Sequence, residues 1–314
     1  MYVRHALISA MAVALLSACV APQPPAPPAS ASAVAAARDL APPASQWSQT
    51  CEDWDQWEKR AEPFRVHGTT YHVGTCGITA LLVAGPEGHV LLDTGTRNGS
   101  IVVLENIRLL GLMPDNVRSL LTSHEHFDHI GGAWWVLQNS SARILTSPVA
   151  ARVIESGTVD PLDPQSGIHP PMRAVDGAFI TVVSPGQPVT LQGTRFTPIA
   201  TPGHTPGALS WQWESCEGEE CLTIVYADSL SPVSADTYRF SQHPGYVQAY
   251  RDGIARLAAL DCDILLTPHP SASGMRDKLL AEDLTSGMGC AEYAANVLQR
   301  LETRMALEVE EAAQ

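Results

Sequence analysis

An α/β fold is predicted: a four-layer αβ/βα sandwich, two β-sheets packed face to face with helices outside. Two observations predict it. Short β-rich runs, bounded by Gly and Pro, recur through both halves of the 314-residue chain. In each half these strands lead to an amphipathic helix and then a further strand, which makes two similar sheet-plus-helix units. No sequence repeat relates the halves, so the inference rests on element order. With 45% hydrophobic and 17% charged residues, the chain can fill such a core. A net charge of −14 with no basic stripe argues against nucleic acid as a partner.

Residues 1–18 read as a signal peptide. Arg4 and His5 precede an apolar run, Ala6 to Leu16, too short to span a bilayer. Leu16-Ser17-Ala18-Cys19 resembles a bacterial lipobox, so Cys19 is expected to carry lipid and anchor the chain to a membrane. Cleavage within Ser30–Ala36 and ordinary secretion is the alternative. Both routes export the chain to the periplasm. Residues 19–45, from Pro22-Gln23-Pro24-Pro25 to Pro42-Pro43, read as a disordered Pro/Ala-rich tether. Six cysteines remain besides Cys19, an even set suited to disulfides in an oxidising compartment. Fifteen pairings exist and sequence alone does not choose among them. Spacing favours Cys51–Cys76, Cys216–Cys221 and Cys262–Cys290.

From Trp47 the composition turns globular, and Trp54 and Trp57 are expected to pack an N-terminal helix. Strands are predicted over Phe64–Val73, Ile78–Ala84 and His89–Asp93, broken at Gly74, Gly85-Pro86 and Gly88. Asn98 to Leu110 has helical spacing and stops at Gly111. A strand at Ser119–Ser123, a helix through Trp134–Gln138, a strand at Arg143–Thr146 and a helix at Pro148–Ser156 follow. Residues 157–176 are Pro/Gly-rich and read as a rim or lid, with Gln165 and Ile168 available to a substrate. The second half carries strands at Ile180–Val183, Val189–Leu191, Phe196–Ala200, Leu209–Trp213 and Leu222–Ala227. A helix Gly245–Leu260, a strand Asp263–Thr267 and a helix Ala291–Ala306 complete it.

The chemistry is concentrated where strand 119–123 ends. His124, His126, Asp128 and His129 stand within six residues, and Gly131-Gly132 open the next helix. In extended backbone His124 and His126 point the same way. Asp128 and His129 follow the turn and can point elsewhere. That suits two adjacent cations, and imidazole with carboxylate favours zinc. Two further histidines end strands inside stiff Pro/Gly loops: His204 in residues 201–207 and His269 in residues 267–270. They bring each cation to three protein ligands and leave coordination open, the mark of a catalytic site. Asp228, in the strand end 226–231, is a candidate bridging carboxylate. Ser229 and Ser231 beside it can bond an anionic substrate group. His5, His67, His72, His89, His169 and His243 have no clustered partner and read as signal, strand-face or loop residues.

The cluster 122–132, the loop 202–207, the strand end 226–231 and Thr267–Pro270 together resemble the metallo-β-lactamase superfamily across about residues 60–305. Within it they resemble the third subclass of class B β-lactamases, and Cys262 with Cys290 looks like that group's disulfide. The other two cysteine pairs and Gln165 resemble a few exported carbapenemases of that subclass. The first subclass has a cysteine ligand where Ser229 falls, and the second has Asn for the first histidine, where His124 is intact. The resemblance implies a metallo-β-lactamase domain over 46–314. It implies one Zn2+ on His124, His126 and His204, a second on Asp128, His129 and His269, and no ligand role for Asp228. It further implies hydrolysis of the β-lactam amide by a hydroxide shared between the metals. Asp128 would orient it, while Ser229, Ser231 and Gln165 contact substrate. A serine-nucleophile lactamase is excluded, since no Ser-x-x-Lys with Lys-Thr-Gly occurs. Rival readings are a thioesterase or lactonase on the same fold, and a non-catalytic zinc-binding lipoprotein. A monomer is expected.

Overall fold

The computed structural model describes residues 30–313. The signal segment, Cys19 and the first part of the tether lie outside the described residues. Two helices open the described chain, α1 (Ala31–Leu40) and α2 (Ala44–Thr50). Four strands follow: β1 (Phe64–His67), β2 (Thr70–His72), β3 (Leu81–Gly85) and β4 (Gly88–Leu92). Next come α3 (Gly99–Leu109), β5 (Val117–Leu121), the single turn α4 (Phe127–Ile130) and α5 (Ala133–Gln138). Then β6 (Arg143–Thr146), α6 (Pro148–Ser156) and β7 (Ile180–Val182) close the first half. The second half runs β8 (Val189–Leu191), β9 (Thr194–Ala200), β10 (Leu209–Glu217) and β11 (Glu220–Tyr226). It ends with α7 (Pro244–Ala258), β12 (Ile264–Leu266), α8 (Met275–Leu280) and α9 (Cys290–Ala312).

Strands β1 to β7 lie side by side in one sheet, and the second sheet has the order β12-β11-β10-β9-β8. The run β4-β5-β6-β7 is parallel, so its connections must cross over, and α3, α5 and α6 lie in them. Residues 180–182, placed in the second half by sequence order, join the first sheet beside β6.

Two-residue alternation separates the layers. Leu81, Val83, Val90 and Leu92 point toward Trp211, Trp213, Ile224 and Tyr226, and this makes the core between the sheets. Their neighbours Leu82, Ala84 and Leu91 point the other way, onto Val103 and Ile107 of α3 and Ile154 of α6. Likewise Val225 and Leu265 face Val247, Tyr250 and Ile254 of α7 and Val297 of α9. Helix, sheet, sheet and helix are therefore the four layers expected.

Three local readings need correction. The tether does not stay unstructured to residue 45. Residues 31–40 hold no proline, Ser30 caps the helix by accepting from Ala33 N–H, and Ala37 is fully buried under the first sheet. The strand read over Phe64–Val73 is a hairpin, because Gly68 takes φ +53 between β1 and β2. Trp54 and Trp57 do not pack a helix core. Trp47 of α2 fills that role, while Trp54 is 67% exposed and Trp57 40%.

The cysteines pair as Cys51–Cys76, Cys216–Cys221 and Cys262–Cys290, with Cα separations of 5.2, 4.0 and 6.0 Å. Cys262–Cys290 spans 28 residues and ties the approach to β12 to the start of α9. Replacing both by serine is expected to lower unfolding free energy by roughly 3–4 kcal/mol, from the entropy of opening that loop. The shift in urea midpoint at constant slope measures it.

Candidate active site

Strand β5 ends at Leu121, and the chain bends at Ser123 and Glu125 before α4 begins. His124 and His126 still stand side by side, and the helical turn brings Asp128 and His129 up next to them. From the second sheet, the loop after β9 brings in His204. The three rings stand in a triangle with centroid separations of 5.0, 4.8 and 4.9 Å. One ligand atom from each of the three lies within 4.8 Å of the others. Beside them, Asp128 Oδ2 is 3.0 Å from His129 Nε2 and 3.5 Å from His269 Nε2. His124, Asp128 and His129 form a second such group. All six metal ligands expected from sequence thus converge at the ends of the two sheets.

The ring nitrogens facing away from the centre are held individually. Asp228 Oδ1 lies 2.7 Å from His124 Nδ1, and Asp163 Oδ2 lies 2.9 Å from His126 Nε2. His204 Nδ1 meets Ser231 C=O at 3.0 Å, and His269 Nδ1 meets Gly77 C=O at 3.2 Å. An N–H donated outward fixes the tautomer, so the other nitrogen keeps its lone pair toward the centre. Asp93 stands 3.8 Å from His129 Nδ1 and is itself fixed by Ser123 N–H, Ser123 Oγ and Tyr226 O–H. Two non-glycine residues adjoining the site, Asp93 and Leu230, have φ of +58 and +45. Such backbone persists only where surroundings impose it.

The electrostatics of His124, His204 and Asp128 agree with cation binding, while His129 in the metal-free site is drawn toward its protonated form. Burial holds His124 and His204 well below the usual imidazole range, with neighbouring imidazoles adding to the effect, so both are neutral. Burial alone would raise Asp128. The adjoining His129, with hydrogen bonds from His129 and His269, outweighs it and keeps the carboxyl well below the usual range. Burial lowers His129, and Asp128 more than reverses that. Neutral imidazole and ionised carboxylate are the forms that ligate. His124 Nε2 and Asp128 Oδ1 are buried without a hydrogen-bond partner among the described residues. Burying such atoms unpaired is costly, and cations held there with their bound water would relieve it.

Asp228 belongs to neither ligand group, and its Oδ1 is engaged with His124 Nδ1. Ser229 Oγ is buried and has no hydrogen-bond partner among the described residues. Ser231 Oγ sits 3.0 Å from His204 Nδ1, so it steadies that ligand as well. Gln165 Nε2 lies 3.3 Å from His204 Nε2, and its Oε1 accepts from His169 Nε2 at 3.0 Å. His169, read as an inert loop residue, is in the site, its ring 4.5 Å from that of His126. Asp163 had no assigned role. Its one signal was a carboxylate two residues before Gln165 in the rim loop. Trp54 and Trp57 flank His269, with ring centroids 6.2 and 6.0 Å away. Replacing Asp163 by Ala frees both His126 and the rim loop. Metal affinity is expected to fall by about 10- to 100-fold, as for other partners of ligating histidines, measured by chelator competition.

Fold and site together define an αβ/βα-sandwich metalloprotein with paired ligand groups at one end of its sheets. Residues 73–217 match the family model of the metallo-β-lactamase superfamily. The solved structure "MIM-2 Metallo-Beta-Lactamase" is 50% identical, covers 85% of this chain and 98% of its own, and superposes with TM-score 0.78. MEM-A1, a subclass B3 metallo-β-lactamase from a soil metagenome library, is 37% identical with TM-score 0.77, covering 82% of this chain and all of its own. A Bacillus subtilis protein described as the probable metallo-hydrolase YflN is 24% identical over 241 residues, 70% of this chain and 88% of that one. The chain belongs to the metallo-β-lactamase superfamily, within its third-subclass group.

Proposed function

We propose that this protein hydrolyses the amide bond of β-lactams (penicillins, cephalosporins and carbapenems) with two zinc ions per chain. The observation that carries the reading is the convergence of His124, His126 and His204 beside Asp128, His129 and His269. The solved relatives named as metallo-β-lactamases support the substrate class. The first triad would hold one zinc and the second set the other. Bound zinc supplies Lewis acidity toward a carbonyl and brings the pKa of its water to about 7.

The chain's own groups do the rest. Asp128 Oδ1 has no hydrogen-bond partner among the described residues, and is placed to accept the proton of the attacking water. Ser229 Oγ and the hydroxyl of Ser231 bind the substrate carboxylate by neutral hydrogen bonds. Gln165, held between His204 and His169, closes the rim loop over the acyl portion. Trp54 and Trp57 offer an apolar wall beside His269. Export to the periplasm on a lipid anchor at Cys19 fits a role in antibiotic resistance, and rests on the leader sequence alone.

A parallel panel tests the reading: a carbapenem, a cephalosporin, an acyl-lactone and a glutathione thioester, each with and without chelator. Hydrolysis of the two β-lactams that stops on metal removal and returns with zinc is the expected result. Preference for the lactone or thioester, or hydrolysis indifferent to chelator, overturns it.

A further inference from the structure

Glu125 separates His124 from His126 in sequence but joins neither ligand group. Its side chain is buried and reaches the loop that carries His204. Oε2 accepts from the Thr205 hydroxyl at 2.7 Å, and Oε1 accepts from Gly207 N–H at 2.8 Å. That loop is closed at its base by Thr201 N–H to Ala208 C=O at 3.1 Å. Inside it Gly203 N–H reaches Thr205 C=O at 3.0 Å. From the outer layer, Tyr246 of α7 holds it through an O–H bond to Gly203 C=O at 3.1 Å. On the side of the first sheet, the backbone bond Leu209 N–H to Ser123 C=O, 2.7 Å, anchors its far end. Glu125 grips the loop on the C-terminal side of His204, at Thr205 and Gly207, and Tyr246 grips it on the other side, at Gly203.

The fit is close. A Cβ on Gly207 would stand 2.7 Å from both Glu125 oxygens, so glycine is what lets the carboxylate approach. A buried carboxylate is an expensive way to fill space, and an apolar side chain of equal size would serve stability better. Its value lies in register. His124 and His126 come from the end of the first sheet, and His204 from the second. Sheets packed only through apolar contacts slide more easily than ones pinned by directional bonds.

We propose that Glu125 is a positioning residue that locks the His204 loop to the His124–His126 turn, so that three imidazoles from two sheets meet at one cation. The inference rests on the reading of those histidines as metal ligands. Its test uses the full-length, zinc-loaded protein in four forms: wild type, Glu125→Ala, Thr205→Val and His204→Ala. Thr205→Val keeps side-chain volume and the Gly207 bond but deletes one donor. Zinc dissociation is measured by chelator competition, the visible spectrum after cobalt(II) replacement, and the melting midpoint without metal.

Glu125→Ala is expected to weaken one zinc by on the order of 10- to 100-fold and to alter the cobalt spectrum. Thr205→Val should shift both readouts in the same direction by less, with a metal-free midpoint lowered by the buried Glu125 oxygen that loses its donor. Wild-type zinc affinity and cobalt spectrum in Glu125→Ala overturn the proposal if His204→Ala has lost affinity. Should Glu125→Ala fail to fold, the same wild-type readouts in Thr205→Val overturn it. Wild-type affinity in His204→Ala would instead refute the ligand assignment itself.

Discussion

A His204→Ala enzyme is expected to lose more than the roughly 10- to 100-fold that removal of a ligand's supporting partner costs. His204 closes the triangle with His124 and His126, and it is the one member drawn from the second sheet. Without it two imidazoles remain, fewer than the three protein ligands of a catalytic zinc site. The loss should appear in kcat/KM for a carbapenem and, in parallel, in zinc retained after dialysis. The loop should survive the change, because its backbone bonds and its contacts to Glu125 and Tyr246 do not involve the imidazole. An unaltered melting midpoint in the metal-free protein checks that. A variant that keeps full carbapenem turnover would defeat the assignment.

Asp128→Asn should be nearly as damaging, through a different cause. The side chain is isosteric, so packing beside His129 and His269 is preserved. What disappears is negative charge and a proton acceptor. Positioned acid–base groups contribute about 10²- to 10⁴-fold, and kcat should fall by an amount in that range. The charge of Asp128 also raises His129. Its removal should therefore lower the His129 pKa, a shift that NMR titration of the metal-free protein can follow. A rise in KM with unchanged kcat would mean that Asp128 serves substrate binding only.

Much of the layer plan is legible in the residues. Strands β6 and β8 and helix α6 have the bounds that local pattern predicts, because alternation, proline placement and Ser147 as an N-cap all act within a few residues. The hairpin at Gly68 was hidden because residues on either side are equally β-prone, and one glycine at φ +53 decides the break. Helix α1 was masked by averaging: prolines on both sides of a proline-free alanine run make the stretch look uniformly like tether. Trp47 and Trp54 have similar local surroundings in sequence. Only packing buries one against Phe64 and His72 and leaves the other beside His269.

The candidate ligands were legible for a related reason. Metal binding needs particular atoms, and His124, His126, Asp128 and His129 sit within one strand end and turn, where spacing already implies direction. His204 and His269 were readable as histidines in stiff loops after apolar strands. Asp163, His169 and the roles of Asp228 and Glu125 were not. An irregular loop has no period from which to infer where a side chain points, and a carboxylate's partner across 37 or 104 residues is set by folding.

The sequence by itself determined the two-sheet plan, the six metal-ligating candidates and their chemistry, because hydrophobic period and residue type are local properties. The tertiary structure alone decided which nitrogen of each histidine faces inward and which carboxylates hold the outer ones. It also decided how His204 is brought across from the other sheet. Those choices depend on hydrogen bonds between segments far apart in the chain, and such bonds exist only once the two sheets have packed.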